Sequence, residues 1–139
     1  MAGYSGKPLV QKLGIKPGFC IFVDGLSIAY ADVVGELPDD VRIAKIAKAP
    51  LDMVHVFAAE AKGLAAKLRG YRKAIAPRGM IWASWPKKAS GVVTDVTETL
   101  VRETALANGL VDIKVCAVDD VWSGLKLVIP VKDRAAGSR

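Results

Sequence analysis

Three apolar runs of strand length constrain this chain more than any other feature: Phe19-Cys20-Ile21-Phe22-Val23, Leu51-Asp52-Met53-Val54-His55-Val56-Phe57 and Met80-Ile81-Trp82-Ala83-Ser84-Trp85. Near-continuous hydrophobicity, in place of apolar/polar alternation, is what a central parallel strand covered on both faces requires. The first run stops at Asp24-Gly25, and Pro77-Arg78-Gly79 is expected to turn the chain into the third.

Helical segments alternate with these runs. Pro8 to Leu13 reads as a short helix stopped by Gly14. Leu26 to Leu37 carries Ala29, Val33 and Leu37 at helical spacing, and the alternating Val41 to Ile46 reads as a strand nearer an edge. The strongest helix pattern is Ala58 to Ile75, with Ala61, Leu64, Ala65, Leu68, Tyr71 and Ile75 on one stripe and Lys62, Arg69 and Lys73 on a solvated basic face. A further helix is expected from near Asp95 to Asn108-Gly109. Val111 to Ala117 alternates, and Leu125 to Val131 follows too soon for a crossover helix, so these two strands must form an antiparallel hairpin.

The resulting expectation is an α/β, Rossmann-like, mostly parallel open sheet with helices on both faces and a C-terminal antiparallel hairpin. The 139 residues fit one such domain, residues 1–139, with an open arm at 1–6 and a frayed tail at 133–139. Right-handed crossovers put the loops after Val23, Phe57, Trp85 and Val118 on one pole, where a ligand would bind.

The charge balance is 20 − 14 = +6, with a pI near 9.4, which favours anionic partners. The basic residues are scattered and no run exceeds Lys87-Lys88, so nucleic-acid binding ranks below a solvated basic surface. Cys20 and Cys116 lie apart in apolar runs, the pattern of buried thiols with no metal site. No apolar run reaches membrane-span length and no charged-then-apolar leader opens the chain, so no membrane partner and a cytoplasmic location are expected.

The candidate site residues on the ligand pole are Asp24, Gly25, Trp85, Lys87, Lys88, Ser90, Thr94, Asp119, Trp122 and Ser123. Lys87, Lys88 and the Ser90-Gly91 pair precede a helix start, where free N–H groups and the helix dipole suit an anion. Asp95 and Glu98 have the spacing of a capping box and would occupy those same donors, while Asp119 and Asp120 could pair with the two lysines. An anion or partner site and a salt-bridged structural loop are both open on these residues. Trp82 reads as core; Trp85 and Trp122, at strand ends, suit stacking on a planar ligand, anchoring a partner protein, or packing of the loops on each other. His55, the only histidine, has no nucleophile motif beside it and reads as a packed strand residue. With no catalytic motif, the sequence favours a non-catalytic ligand-binding or protein-interaction module over an enzyme.

Several segments together carry a resemblance. Tyr4-Ser5-Gly6-Lys7-Pro8-Leu9, Trp85-Pro86-Lys87-Lys88, Ser90-Gly91-Val92-Val93-Thr94-Asp95 and Val118-Asp119-Asp120-Val121-Trp122-Ser123-Gly124-Leu125-Lys126 resemble the bacterial family known as domain of unknown function 3052, which implies no established activity. The element order also resembles the class I methyltransferase fold shortened by one strand-helix unit. That likeness implies a reversed last strand beside Met80 to Trp85, bringing Trp122 toward Lys87 and Lys88, and a degenerate S-adenosylmethionine-dependent enzyme as the alternative function. The enzymes of that fold carry a glycine-rich turn after the first strand and an acid after the second; this chain has Gly25 alone and the basic Lys45 and Lys48.

Overall fold

The computed structural model describes residues 7–137; the arm expected at 1–6, part of the Tyr4 to Leu9 motif and the last two tail residues lie outside them. Six strands, β1 (Cys20–Asp24), β2 (Arg42–Ala44), β3 (Leu51–Phe57), β4 (Ile75–Pro86), β5 (Val111–Ala117) and β6 (Trp122–Val128), form one sheet in the order β2-β1-β3-β4-β6-β5. β1 runs parallel to β2 and β3, and β3 parallel to β4, whereas β6 is antiparallel to both β4 and β5. The mostly parallel sheet and the closing hairpin are those expected from the sequence, and the reversed strand enters beside β4 with Trp122 opposite Pro86.

Alternation along the buried strands divides the core into two layers. One face carries Val54, Val56, Ile81, Ala83, Trp85, Leu125 and Leu127 under helices α3 (Leu64–Ala74) and α4 (Glu98–Ala107). The other carries Ile21, Met53, Phe57, Met80 and Trp82 under α1 (Leu9–Leu13) and α2 (Tyr30–Val34). Trp82 is fully buried and its indole N–H donates to the Leu13 carbonyl at 2.9 Å, pinning α1 to the sheet.

Five elements differ from the sequence expectation. The helix expected over Leu26 to Leu37 is confined to α2, between the left-handed Gly25 (φ 86°) and Gly35 (φ 97°). α3 begins only at Leu64, because tertiary bonds hold the preceding loop: the Ala58 N–H donates to Ser84 O, the Ala61 N–H to Asp95 Oδ1, and the Thr94 hydroxyl to Ala59 O. α4 begins at Glu98, with Thr97 as its cap accepting the Leu100 N–H, so the Asp95/Glu98 capping box does not form; Glu98 instead pairs with Arg102. Pro77-Arg78-Gly79 is no turn: β4 runs through it, taking five steps from Ile75 to Met80 where β3 takes two from Leu51 to Met53. The tail from Asp133 belongs to a fifth helix, α5 (Val131–Gly137).

His55 sits in the middle of β3, fully buried, and is satisfied on both sides: Nδ1 lies 2.7 Å from the Tyr30 hydroxyl and Nε2 2.7 Å from Ser84 Oγ. A neutral imidazole has one donor and one acceptor, and a hydroxyl can be either, so the chain closes without a charge. Burial pushes His55 down to about 3 from its ordinary 6.5, and pushes the Tyr30 hydroxyl upward. The folded pKa lies below the unfolded one, so this stabilisation is complete above pH 6.5 and is lost as pH falls toward 3. Urea titrations of the wild type should lose about 1.4 kcal/mol per pH unit between pH 6 and 5 from this group. His55→Gln, less stable at pH 7, should lack that slope; the same slope in the variant would refute the assignment.

Candidate functional site

The C-terminal ends of β1, β3 and β4 and the β5–β6 turn gather at one pole of the sheet, as expected from the sequence. Within it, β1 is the strand from which the order reverses: the chain goes outward to β2, then returns to β3 on the other side. In open α/β sheets a ligand crevice opens at such a reversal, outside the strand ends.

Asp24 closes β1 at this point with its side chain only 19% exposed. Its carboxylate accepts the Tyr71 hydroxyl in a short hydrogen bond and lies 3.2 Å from Lys67 Nζ. Burial, then the bond to Asp24 and its charge, push the Tyr71 hydroxyl well above its ordinary value, so it stays a donor. Lys67 and Tyr71 are one helical turn apart on α3 and also line, with Ala47, Ala66 and Gly70, a pocket of about 390 Å³ between α3 and the β2–β3 loop. That volume falls at the small-molecule end of the usual range. Neither residue was singled out as functional from the sequence, where Tyr71 belongs to the apolar stripe and Lys67 is in neither the stripe nor the basic face of Lys62, Arg69 and Lys73. The signal that could have found them is the i, i+4 spacing of a donor pair beneath a strand-terminal acid.

The remaining candidate residues divide. Trp85, for which stacking on a ligand, anchoring a partner and packing were all open, is buried against the α3/α4 side of the core. Trp122 is half-buried, edge-on to Phe57 at 5.1 Å, and Phe57 in turn stacks on His55 at 4.2 Å, so the ring ties the hairpin to the core. The Lys87 N–H donates to Val121 O at 2.7 Å, bringing the 85–95 and 119–124 segments together as expected. Asp119 does not pair with Lys87 or Lys88: Oδ1 accepts the Val121 and Trp122 N–H groups and caps the hairpin turn. The Ser90 hydroxyl donates to Lys87 O, and Thr94 is spent on Ala59, so both hydroxyls shape loops. Lys88 is exposed on a short 3-10 turn (Lys88–Ser90), and Ser123 is half-buried opposite Trp85.

Gly25 shows how this pole differs from a standard S-adenosylmethionine site. A Cβ on it would lie 2.2 Å from the Phe57 carbonyl oxygen, so the close approach that glycine permits is to β3 and not to a ligand. After β2 the chain presents Lys45 where the resemblance calls for an acid, and α2 has only five residues. The residues present therefore do not fit the cofactor in the manner that the methyltransferase likeness implies.

Solved structures show the same architecture. The chain is similar to the fibrillarin pre-rRNA processing protein of Methanococcus jannaschii (TM-score 0.58, 12% identity, over 90% of this chain and 70% of that one). It is similar to magnesium protoporphyrin IX methyltransferase from Synechocystis PCC 6803 with bound SAH (0.54, 12%, 81% and 74%), and to the tRNA methyltransferase TrmK of B. subtilis (0.52, 10%, 96% and 70%). At these identities the likeness is one of fold, and that fold is Rossmann-like and methyltransferase-like. No family model and no curated protein matches the sequence. No described helix is long and apolar enough to cross a membrane.

Gly25→Ala should lose about 3 kcal/mol in urea unfolding, from the left-handed backbone together with the clash on Phe57. Gly63→Ala, with a similar φ of 84° and open space around it, should lose about 1 kcal/mol. Equal losses would mean that the contact with β3 is unimportant.

Proposed function

We propose that this chain is a methyltransferase-like protein that binds a small molecule in the crevice at the β1/β3 reversal, and that its relation to domain of unknown function 3052 rests on the shared motifs. The observation that carries the reading is the Asp24–Lys67–Tyr71 set beside the 390 Å³ pocket. An acid, an ammonium and a hydroxyl meet there, partly shielded from water, on two rigid elements. Such a set suits a ligand with both donor and acceptor groups, because the ligand can exchange into bonds that the side chains already make with one another.

The solved methyltransferases favour a second, finer reading, in which the small molecule is S-adenosylmethionine or its demethylated product, held by this chain's own donors and not by a glycine-rich turn. The composite surface of Lys87, Lys88 and Trp122 next to this crevice would then face the second substrate. The non-catalytic ligand-binding or protein-interaction module that the sequence alone favoured has no support from these comparisons, which favour its methyltransferase-like alternative.

Native mass spectrometry of freshly purified protein, followed by calorimetric titration with S-adenosylmethionine and S-adenosylhomocysteine, tests both readings. A retained small molecule, lost in Asp24→Asn and Tyr71→Phe, supports the crevice. A dissociation constant below about 1 mM for either adenosyl compound, weakened about tenfold or more in those variants, supports the finer reading. A bare protein mass together with flat titrations would overturn both.

A further inference from the structure

A second pocket, of about 380 Å³, opens at the opposite pole, where β3 and β4 begin and β6 ends. Its cations are Lys16 from the turn before β1, Arg78 from the irregular stretch of β4, and Lys126 from β6; Asp52 is its acid. The formal charge of the lining is therefore 3 − 1 = +2. One Asp52 oxygen accepts the Cys20 N–H at 2.8 Å, so that carboxylate is tied to the backbone. Among the described residues, none of the three cations has an ion-pair partner.

The fold brings these charges together against their own repulsion. Lys126 stands directly opposite Lys114 in the β5–β6 ladder, a like-charge pairing that weakens a hairpin. Burial, then Lys114 and Lys16, push the Lys126 ammonium below its ordinary range. The three extra residues that β4 places between Ile75 and Met80 carry Arg78 to the pocket edge, and irregularities of this kind recur where a strand re-aims a side chain toward a site. Phe19 and Met80 supply an apolar wall.

The geometry points to a binding site for a small phosphorylated molecule, with its phosphate dianion between Lys16, Arg78 and Lys126 and its organic part against Phe19 and Met80. A dianion matches the +2 lining, a guanidinium offers the paired donors that a phosphate accepts, and a pocket this size takes a small molecule. This site is independent of the crevice at the other pole, so either can fail without the other.

Calorimetric titration with phenyl phosphate and with inorganic phosphate at low salt, supported by thermal melts, tests the assignment. Phenyl phosphate should bind, about tenfold more tightly than inorganic phosphate, and raise the melting temperature. Lys16→Glu and Arg78→Glu, both at exposed positions, should weaken phenyl phosphate at least tenfold with their own melting temperatures little changed, while Lys62→Ala, in the exposed turn before α3, should bind as the wild type does. Equal weakening by Lys62→Ala, or no phosphate response, would overturn the site. So would a short single-stranded RNA that binds more tightly than phenyl phosphate and is weakened equally by all three changes, because that would mark a diffuse basic surface.

Discussion

Both poles of this molecule depend on the reversed strand β6, which lies between β4 and β5. At one end it sets Trp122 opposite Pro86 and draws the hairpin turn to Lys87; at the other it sets Lys126 beside Trp82 and opposite Lys114. The insertion works because Gly124 has no side chain. A Cβ there would lie 2.9 Å from Ser84 Oγ and 3.2 Å from the Trp82 ring. β6 can thus close over a serine whose hydroxyl already belongs to His55.

The same packing explains how a polar centre is tolerated in β3. Tyr30, His55 and Ser84 satisfy one another, and Phe57 and Trp122 extend the arrangement as a ring stack toward the ligand pole. α2, too short to be stable by itself, is held by its Tyr30 hydroxyl and by burial of Val34. The turn after β1 is therefore anchored to the sheet from two directions, through Tyr30 and through Gly25 on Phe57. This is a different solution from a glycine-rich turn that leaves its backbone open to a ligand, and it moves the polar groups of the pole onto Asp24, Lys67 and Tyr71.

The strands were legible in the sequence because burial on both faces leaves unbroken apolar runs, and the hairpin because the four residues between β5 and β6 cannot form a crossover. Helix starts were less so: periodicity continues through Ala58 to Gly63 and points to Asp95 as a cap, yet the Asp95 carboxylate is spent on Ala61, 34 residues away. The pole itself followed from the crossovers, but its chemistry did not. Trp85 faces the core by strand parity, Asp119 serves its own turn, and the acid–lysine–tyrosine set joins residues 43 and 47 positions apart. The basic pocket was hidden for the same reason: its residues come from four separate segments, and its edge is formed by a stretch of β4 that reads as a turn.

The central claim is that the Asp24–Lys67–Tyr71 set holds a ligand at the β1/β3 reversal. A crystal structure of the protein purified without added ligand tests it most directly. The account predicts non-protein electron density in the pocket beside Ala47 and Gly70, within hydrogen-bonding distance of Lys67 or Tyr71. A pocket holding only ordered water, in crystals of protein whose mass spectrum retains a small molecule, would contradict it and place that molecule elsewhere.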